Sequence, residues 1–109
     1  MRAVSALVLA AGCAIAHVPA GESPAAARMH TIVIENVQFS PATLTIHRGD
    51  RVIWVNKDLF PHSASAGSKA FDSGAIAPGA SWTYTASRAG DYAYACTFHP
   101  TMKGRLIVR

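Results

Sequence analysis

The sequence is poor in cysteine and has few charged residues. Its two cysteines, Cys13 and Cys96, are too few to hold an iron–sulfur cluster. The Cys-x-x-Cys-His motif that attaches a c-type haem is absent. Charged residues make up 15% of the chain, and Lys and Arg are scattered singly despite a net charge of +4. We therefore expect no nucleic-acid partner, because such partners are bound by clustered basic residues.

Long hydrophobic runs are also lacking, except at the start of the chain. Residues 3–15 are almost wholly apolar and follow Met1 and Arg2, but they are too few to span a bilayer. This pattern is typical of a secretory signal. Two alternatives remain open: a signal peptide over residues 1–16, or a lipoprotein signal over residues 1–12 that leaves a lipid on Cys13.

Residues 17–28 are small, rich in alanine and contain two prolines, which predicts a flexible tether. The protein is therefore expected to be periplasmic or otherwise exported, and to touch a membrane only through a lipid on Cys13. Processing removes or lipidates Cys13, so that Cys96 is left unpaired. An unpaired thiol in an oxidising compartment is prone to oxidation, and binding to a metal would protect it.

Residues 29–109 predict one all-β domain. Short runs rich in Val, Ile, Thr, Tyr and Trp alternate with Gly and Pro, and no segment has helical periodicity. The fold class expected is an antiparallel Greek-key β-sandwich of about seven or eight strands. Predicted strands cover residues 30–39, 43–47, 51–56, 71–73, 81–85, 92–96 and 104–108.

Two details of these strands can be predicted. The apolar alternation in residues 30–39 changes phase at Asn36, which indicates a β-bulge. Residues 52–55 are all apolar, which indicates a central strand that is covered on both faces.

A thiol, an imidazole and a thioether lie three residues apart in Cys96, His99 and Met102, within a loop between two predicted strands. This spacing lets all three turn toward one point. Two His and one Cys with a weak axial Met form a blue-copper site, so a second His is needed, and His62 after Pro61 is the best candidate. The predicted cofactor is one type 1 copper ion that alternates between Cu(I) and Cu(II), with the ligands His62, Cys96, His99 and Met102.

Other uses of these residues fit less well. Zinc prefers a stronger fourth ligand than a thioether, and a cysteine protease needs a geometry that Cys96 and His99 in one tight loop do not readily adopt. The remaining histidines, His17, His30 and His47, have no partner motif, and we expect none of them to be a ligand.

The loop Tyr94–Gly104 resembles that of the cupredoxins, the type 1 blue copper proteins, and most of all that of the amicyanins. The similarity extends over most of residues 29–109. It implies that the protein is a monomeric one-electron carrier and not an enzyme. Such a carrier exchanges electrons with two redox proteins, a donor and an acceptor. These partners would dock near His99, Phe98 and Pro100.

The sequence departs from this family at two positions that matter. Ser63 stands where relatives have an Asn that ties the two ligand loops together, so we expect a shorter tie. Phe98 stands where amicyanins have Pro, which restores an N–H that could point at the sulfur of Cys96. The alternative function is copper delivery, in which the same ligands hold Cu(I) for an acceptor.

Overall fold

A computed structural model describes residues 26–109, together with Ala3 and Gly12. The predicted signal sequences, Cys13 and most of the tether lie outside the described residues. The end of the tether, residues 26–28, is exposed and leads directly into the first strand. In the described part of the chain, no helix has the length and hydropathy needed to cross a membrane.

Eight strands form two four-stranded sheets that pack face to face. One sheet has the order β2-β1-β4-β6 and the other the order β3-β8-β7-β5. The strands are β1 (Met29–Glu35), β2 (Gln38–Ser40), β3 (Thr43–Ile46), β4 (Arg51–Asn56), β5 (Ser65–Ala66), β6 (Ser81–Thr85), β7 (Gly90–Ala95) and β8 (Lys103–Val108). The predicted all-β sandwich is confirmed.

The pairing within each sheet is mixed, whereas the sequence predicted antiparallel strands. β1 pairs in parallel with β4, and β3 pairs in parallel with β8, while the other neighbours are antiparallel. The predicted strand over residues 71–73 is not formed, because Asp72 makes only an isolated bridge to Ser65. β5 contains Ser65 and pairs with β7, so it takes the edge position of that sheet.

The core lies between the two sheets. β4 is an interior strand, as predicted, and its alternate residues Val52 and Trp54 are fully buried. Ile53 and Val55 on its other face are only half-buried. The core also contains buried residues from both sheets and the connecting loops, among them Ile32, Ile34, Phe39, Ile46, Phe71, Ile76, Tyr94, Leu106 and Val108.

The predicted bulge at Asn36 is wrong. Glu35 and Gln38 are paired, so Asn36 and Val37 form the two-residue turn of a β1–β2 hairpin. Their φ angles are 55° and 57°, which is the left-handed conformation that a type I′ turn requires at both positions. Asn tolerates this conformation, but a β-branched residue such as Val37 is strained there.

Replacement of Val37 by glycine is expected to stabilise the protein. The left-handed conformation costs an ordinary residue roughly 1–2 kcal/mol, and glycine is spared that cost. The added freedom of glycine in the unfolded chain offsets about 0.4–1 kcal/mol, so a net gain of about 0.5–1 kcal/mol is expected in urea unfolding. Val37→Ala, which keeps a Cβ, is the control, and a lower stability of Val37→Gly than of Val37→Ala would contradict the strain.

A buried carboxylate joins three segments of the sandwich. Asp50 accepts hydrogen bonds from the backbone N–H of Arg28 at 3.0 Å and of His47 at 3.0 Å, and its Oδ2 lies 3.0 Å from Nε2 of His30. The Arg28 amide, the His30 ring and the His47 amide together hold the pKa of Asp50 well below its ordinary value. This contact gives His30 a structural partner.

The Asp50 cluster predicts acid-sensitive stability. A carboxyl group with a depressed pKa stabilises the folded state above the unfolded pKa of 3.8, and this contribution is lost as the pH falls further. Asp50→Asn should therefore melt at a lower temperature than the wild type near neutral pH. The difference should shrink steadily below about pH 4. A difference that is constant between neutral pH and acid would contradict the prediction.

Candidate metal centre

The loop 96–102 connects β7 to β8 and is closed by its own backbone. The N–H of Cys96 donates to the carbonyl of Met102 at 3.0 Å, which extends the β7–β8 ladder by one hydrogen bond. The N–H of Met102 donates to the carbonyl of His99 at 2.9 Å. Residues 99–102 thus form a β-turn with Pro100 at its second position, where a fixed φ suits the turn. These bonds fix the backbone of three predicted ligands.

His62 lies in the long connection between β4 and β5. Its backbone exchanges two hydrogen bonds with Ile76, of 3.1 and 2.6 Å, although neither residue belongs to a strand. The buried side chain of Asn56 supports the same connection by donating to the carbonyls of Phe60 at 2.7 Å and Ile76 at 2.9 Å. The position of His62 is therefore set by backbone contacts as well as by its ring.

The two ligand loops meet at the sulfur of Cys96. Its Sγ lies 3.7 Å from Nδ1 of His62 and 3.9 Å from Nδ1 of His99, and the three donor atoms lie within 4.8 Å of one another. Metal–sulfur and metal–nitrogen bonds of about 2.3 and 2.0 Å place donors at 120° about 3.7 Å apart. The donor atoms thus have the spacing that a trigonal metal ion requires.

Burial differs among the four predicted ligands. His62, Cys96 and Met102 are 0%, 1% and 3% exposed, whereas His99 is partly exposed. A buried thiol without a disulfide partner, enclosed together with two imidazoles, has no obvious structural use. The cluster of His62, Cys96 and His99 is the only group of this kind among residues 26–109.

Ser63 connects the two loops, as the sequence predicted. Its hydroxyl accepts the backbone N–H of Thr97 at 2.8 Å and lies 3.1 Å from the Thr97 hydroxyl. The N–H of Ser63 also donates to the sulfur of Cys96 at 3.3 Å. Among the described residues, Ser63 is the one whose amide donates to this sulfur, and no hydrogen bond to it from the Phe98 amide is found.

Asp58, which was not among the predicted site residues, contacts the far side of the His62 ring. Its Oδ2 lies 2.8 Å from Nε2 of His62. A carboxylate four residues before a predicted His ligand was the available signal, since metal-bound histidines usually donate their second N–H to such a group. The exposed His47 and the Asp50-bound His30 lie outside the cluster.

The two-sheet sandwich and a largely buried cluster of two histidines and one cysteine define a small metalloprotein, with one metal-binding cluster among residues 26–109. The cupredoxin-like domain family matches residues 3–108, and the chain belongs to that family. This confirms the resemblance that the ligand loop had indicated.

Curated relatives are amicyanins and plastocyanins. The chain is 34% identical over 80 residues to amicyanin of Paracoccus versutus, an alignment that covers 69% of this chain and 61% of the relative. It is 37% identical over 84 residues to a chloroplastic plastocyanin of Tetradesmus obliquus, covering 65% and 58%. The chain thus spans about three fifths of these two relatives. It is 30% identical over 120 residues to amicyanin-alpha of Methylorubrum extorquens, covering 99% of each protein.

Solved structures with the same fold include an oxidised Met-to-Leu variant of amicyanin, with a TM-score of 0.68 and 26% identity. That match covers 73% of this chain and 81% of the other. A copper-containing nitrite reductase of Thermus scotoductus matches with a TM-score of 0.69 and 29% identity, covering 73% of this chain but 22% of the reductase. A further similar structure is a Cu(I) form of an amicyanin variant. Together with the donor set, these relatives support copper as the cofactor.

Proposed function

We propose that the protein is a one-electron carrier whose type 1 copper ion is held by Nδ1 of His62, Sγ of Cys96, Nδ1 of His99 and the thioether of Met102. The observation that carries this proposal is the convergence of two imidazole nitrogens on one buried sulfur, at 3.7 and 3.9 Å. Met102 is buried at the end of the same loop, and its thioether would supply the soft fourth ligand of such a site.

The surrounding residues hold these ligands in place. The backbone of His62 is bound to Ile76, and that of Cys96 to Met102, so neither ligand can move without breaking hydrogen bonds. When bound, copper supplies the one-electron couple. A fixed ligand geometry favours fast electron exchange because little rearrangement accompanies the change of charge. The buried sulfur is also shielded from water and from oxidation.

We propose that electrons enter and leave through His99. It is the one predicted ligand with substantial exposure, and its neighbour Phe98 is 51% exposed. Leu59 and Phe60, at 87% and 59% exposure, lie in the adjoining loop before His62, whose ring centroid is 5.0 Å from that of His99. We propose that these exposed apolar residues, together with Pro100, are where redox proteins dock over a small area and separate quickly.

Copper delivery is the rival function, and burial argues against it. A delivery protein passes its ion to an acceptor through ligand exchange, which requires access to its sulfur ligands. Cys96 and Met102 are almost fully enclosed, at 1% and 3% exposure.

Voltammetry with a chelator challenge distinguishes the two functions. The copper-loaded protein is cycled at an electrode in the presence of a Cu(I)-specific chelator. A carrier gives a reversible one-electron wave and keeps its copper over many cycles. Loss of copper to the chelator on the first reduction would favour delivery, and the absence of a reversible wave would overturn the carrier function.

We further propose that the carrier acts in an exported compartment. The apolar N-terminal segment supports export, with a signal over residues 1–16 or a lipoprotein signal over residues 1–12. Mass spectrometry of protein isolated from the source cell distinguishes the two, because only the second leaves a lipid-modified Cys13. An intact N-terminal Met1 would contradict export by either route.

A further inference from the structure

We infer that Asp58 is a positioning residue of the copper site, which orients His62 and lowers the reduction potential through its negative charge. The inference deepens the proposed function and rests on it. It follows from the contacts of one carboxylate that joins a predicted ligand to a strained turn at the adjacent end of β1.

Both nitrogens of the His62 ring have a partner. Its Nδ1 faces the sulfur of Cys96 at 3.7 Å, while its Nε2 lies 2.8 Å from Oδ2 of Asp58. A carboxylate accepts hydrogen bonds, so Nε2 carries the proton and Nδ1 is left free as a ligand. The ring is fully buried, and the Asp58 side chain is only 12% exposed, so water has little access to this contact. Asp58 thereby selects both the tautomer and the orientation of His62.

Asp58 is itself held in place by hydrogen bonds to the backbone and to a buried side chain. Its Oδ1 accepts the N–H of Asn36 at 2.7 Å, its Oδ2 accepts the N–H of Val37 at 2.9 Å, and its own N–H donates to Oδ1 of Asn56 at 2.9 Å. The amides of Asn36 and Val37 thus donate to both oxygens of Asp58, so the carboxyl group acts here as a hydrogen-bond acceptor. The carboxylate is fixed from several sides.

The two-residue turn between β1 and β2 supports Asp58. Asn36 and Val37 both have positive φ, and their two consecutive N–H groups converge on this one carboxylate. Strained backbone persists where the surrounding structure compensates for it, and such strain is concentrated at functional sites. Here the compensation is the pair of hydrogen bonds to Asp58. The turn therefore acts as a rigid support behind the ligand.

The negative charge of Asp58 changes the reduction potential in one direction. A hydrogen bond to a carboxylate makes an imidazole ligand more basic, as second-shell carboxylates do in other metal sites. The negative charge stabilises Cu(II) more than Cu(I), because Cu(II) carries the larger positive charge. Asp58 thus lowers the reduction potential relative to a neutral hydrogen-bond acceptor at the same place.

The test compares Asp58→Asn with Asp58→Glu and with Asp91→Asn in the copper-loaded protein. Asp91 pairs with Arg105 at the start of β7, at the other end of the strand that leads to Cys96, so Asp91→Asn controls for a lost charge. We expect Asp58→Asn to lower the ratio of Cu(II) to Cu(I) affinity about tenfold, a rise of about 59 mV for one electron. Asp58→Glu should restore most of the potential, and Asp91→Asn should leave it unchanged.

A second readout gives a result on the wild-type protein alone as well as on the variant. In the diamagnetic Cu(I) protein, the Nε2 proton of His62 should give a slowly exchanging, downfield-shifted NMR signal that disappears in Asp58→Asn. If Asp58→Asn does not fold, the absence of this signal from the wild type still overturns the inference, and its presence supports it.

The outcomes separate this inference from the proposed function. A wild-type protein without a reversible wave refutes the proposed function. A reversible wild-type wave, combined with equal potentials for Asp58→Asn and Asp91→Asn, refutes the role of Asp58 alone.

Discussion

Replacing Cys96 by serine should abolish the strong visible absorption of the Cu(II)-loaded protein. That absorption arises from charge transfer between a thiolate and copper, and a serine hydroxyl cannot replace the thiolate. Loss of a residue that hydrogen-bonds to a metal ligand lowers metal affinity roughly 10–100-fold. Loss of the ligand itself should lower Cu(II) affinity by more than this. Because serine is slightly smaller and Cys96 is unpaired, the fold should persist. Absorption spectra and a Cu(II) titration measure both effects.

His47→Gln is the control for the Cys96 variant. His47 is an exposed histidine outside the metal-binding cluster, so its replacement should leave both the band and the affinity intact. A visible band of undiminished strength in Cys96→Ser would mean that the sulfur is not a ligand. An equal loss in His47→Gln would mean that the band reports something other than the proposed site.

Replacing Trp54 by alanine should destabilise the apoprotein by about 3–5 kcal/mol, the usual cost of removing a large buried aromatic side chain. Trp54 is fully buried in β4, and its ring centroid lies 5.5–5.6 Å from those of Trp82, Phe71 and Tyr94. A loss of this size is a large part of the roughly 5–15 kcal/mol that stabilises a typical domain. Urea unfolding followed by circular dichroism measures it.

Leu59→Ala is the matched control for the core variant. Leu59 is 87% exposed, so its truncation should change the unfolding free energy by less than about 0.5 kcal/mol. A loss below about 1 kcal/mol in Trp54→Ala would contradict the packing described for β4. Copper should partly rescue the variant, since a ligand at 100 times its Kd adds about 2.7 kcal/mol to the folded state.

The sequence predicted the features that local patterns determine. Alternation of apolar residues located most strands, including the interior strand β4. The three-residue spacing of Cys96, His99 and Met102 indicated the metal-binding loop, because the chemistry of these side chains restricts the metal. His62 was the best candidate for the second histidine because it follows Pro61 in the loop after the central strand, and its Nδ1 lies 3.7 Å from the sulfur of Cys96.

The features that the sequence did not predict depend on contacts between distant segments. An apolar strand pattern does not specify its neighbours, so the parallel pairing of β1 with β4 was not foreseen. The turn at Asn36 and Val37 was predicted as a bulge because the apolar alternation changes phase at Asn36, and a Val at this position is not the residue that indicates a type I′ turn. Its stabilising partner, Asp58, is 21 residues beyond Val37, and only the folded chain brings them together.

The central claim is that one copper ion stays bound to the same side chains while it gains and loses an electron. The most direct measurement is the visible spectrum of the protein through one full cycle of reduction and reoxidation after addition of one equivalent of Cu(II). The account predicts an intense blue band that is bleached by one electron and returns fully on reoxidation with no copper released. Protein that stays colourless with Cu(II), or a band that does not return, would contradict it.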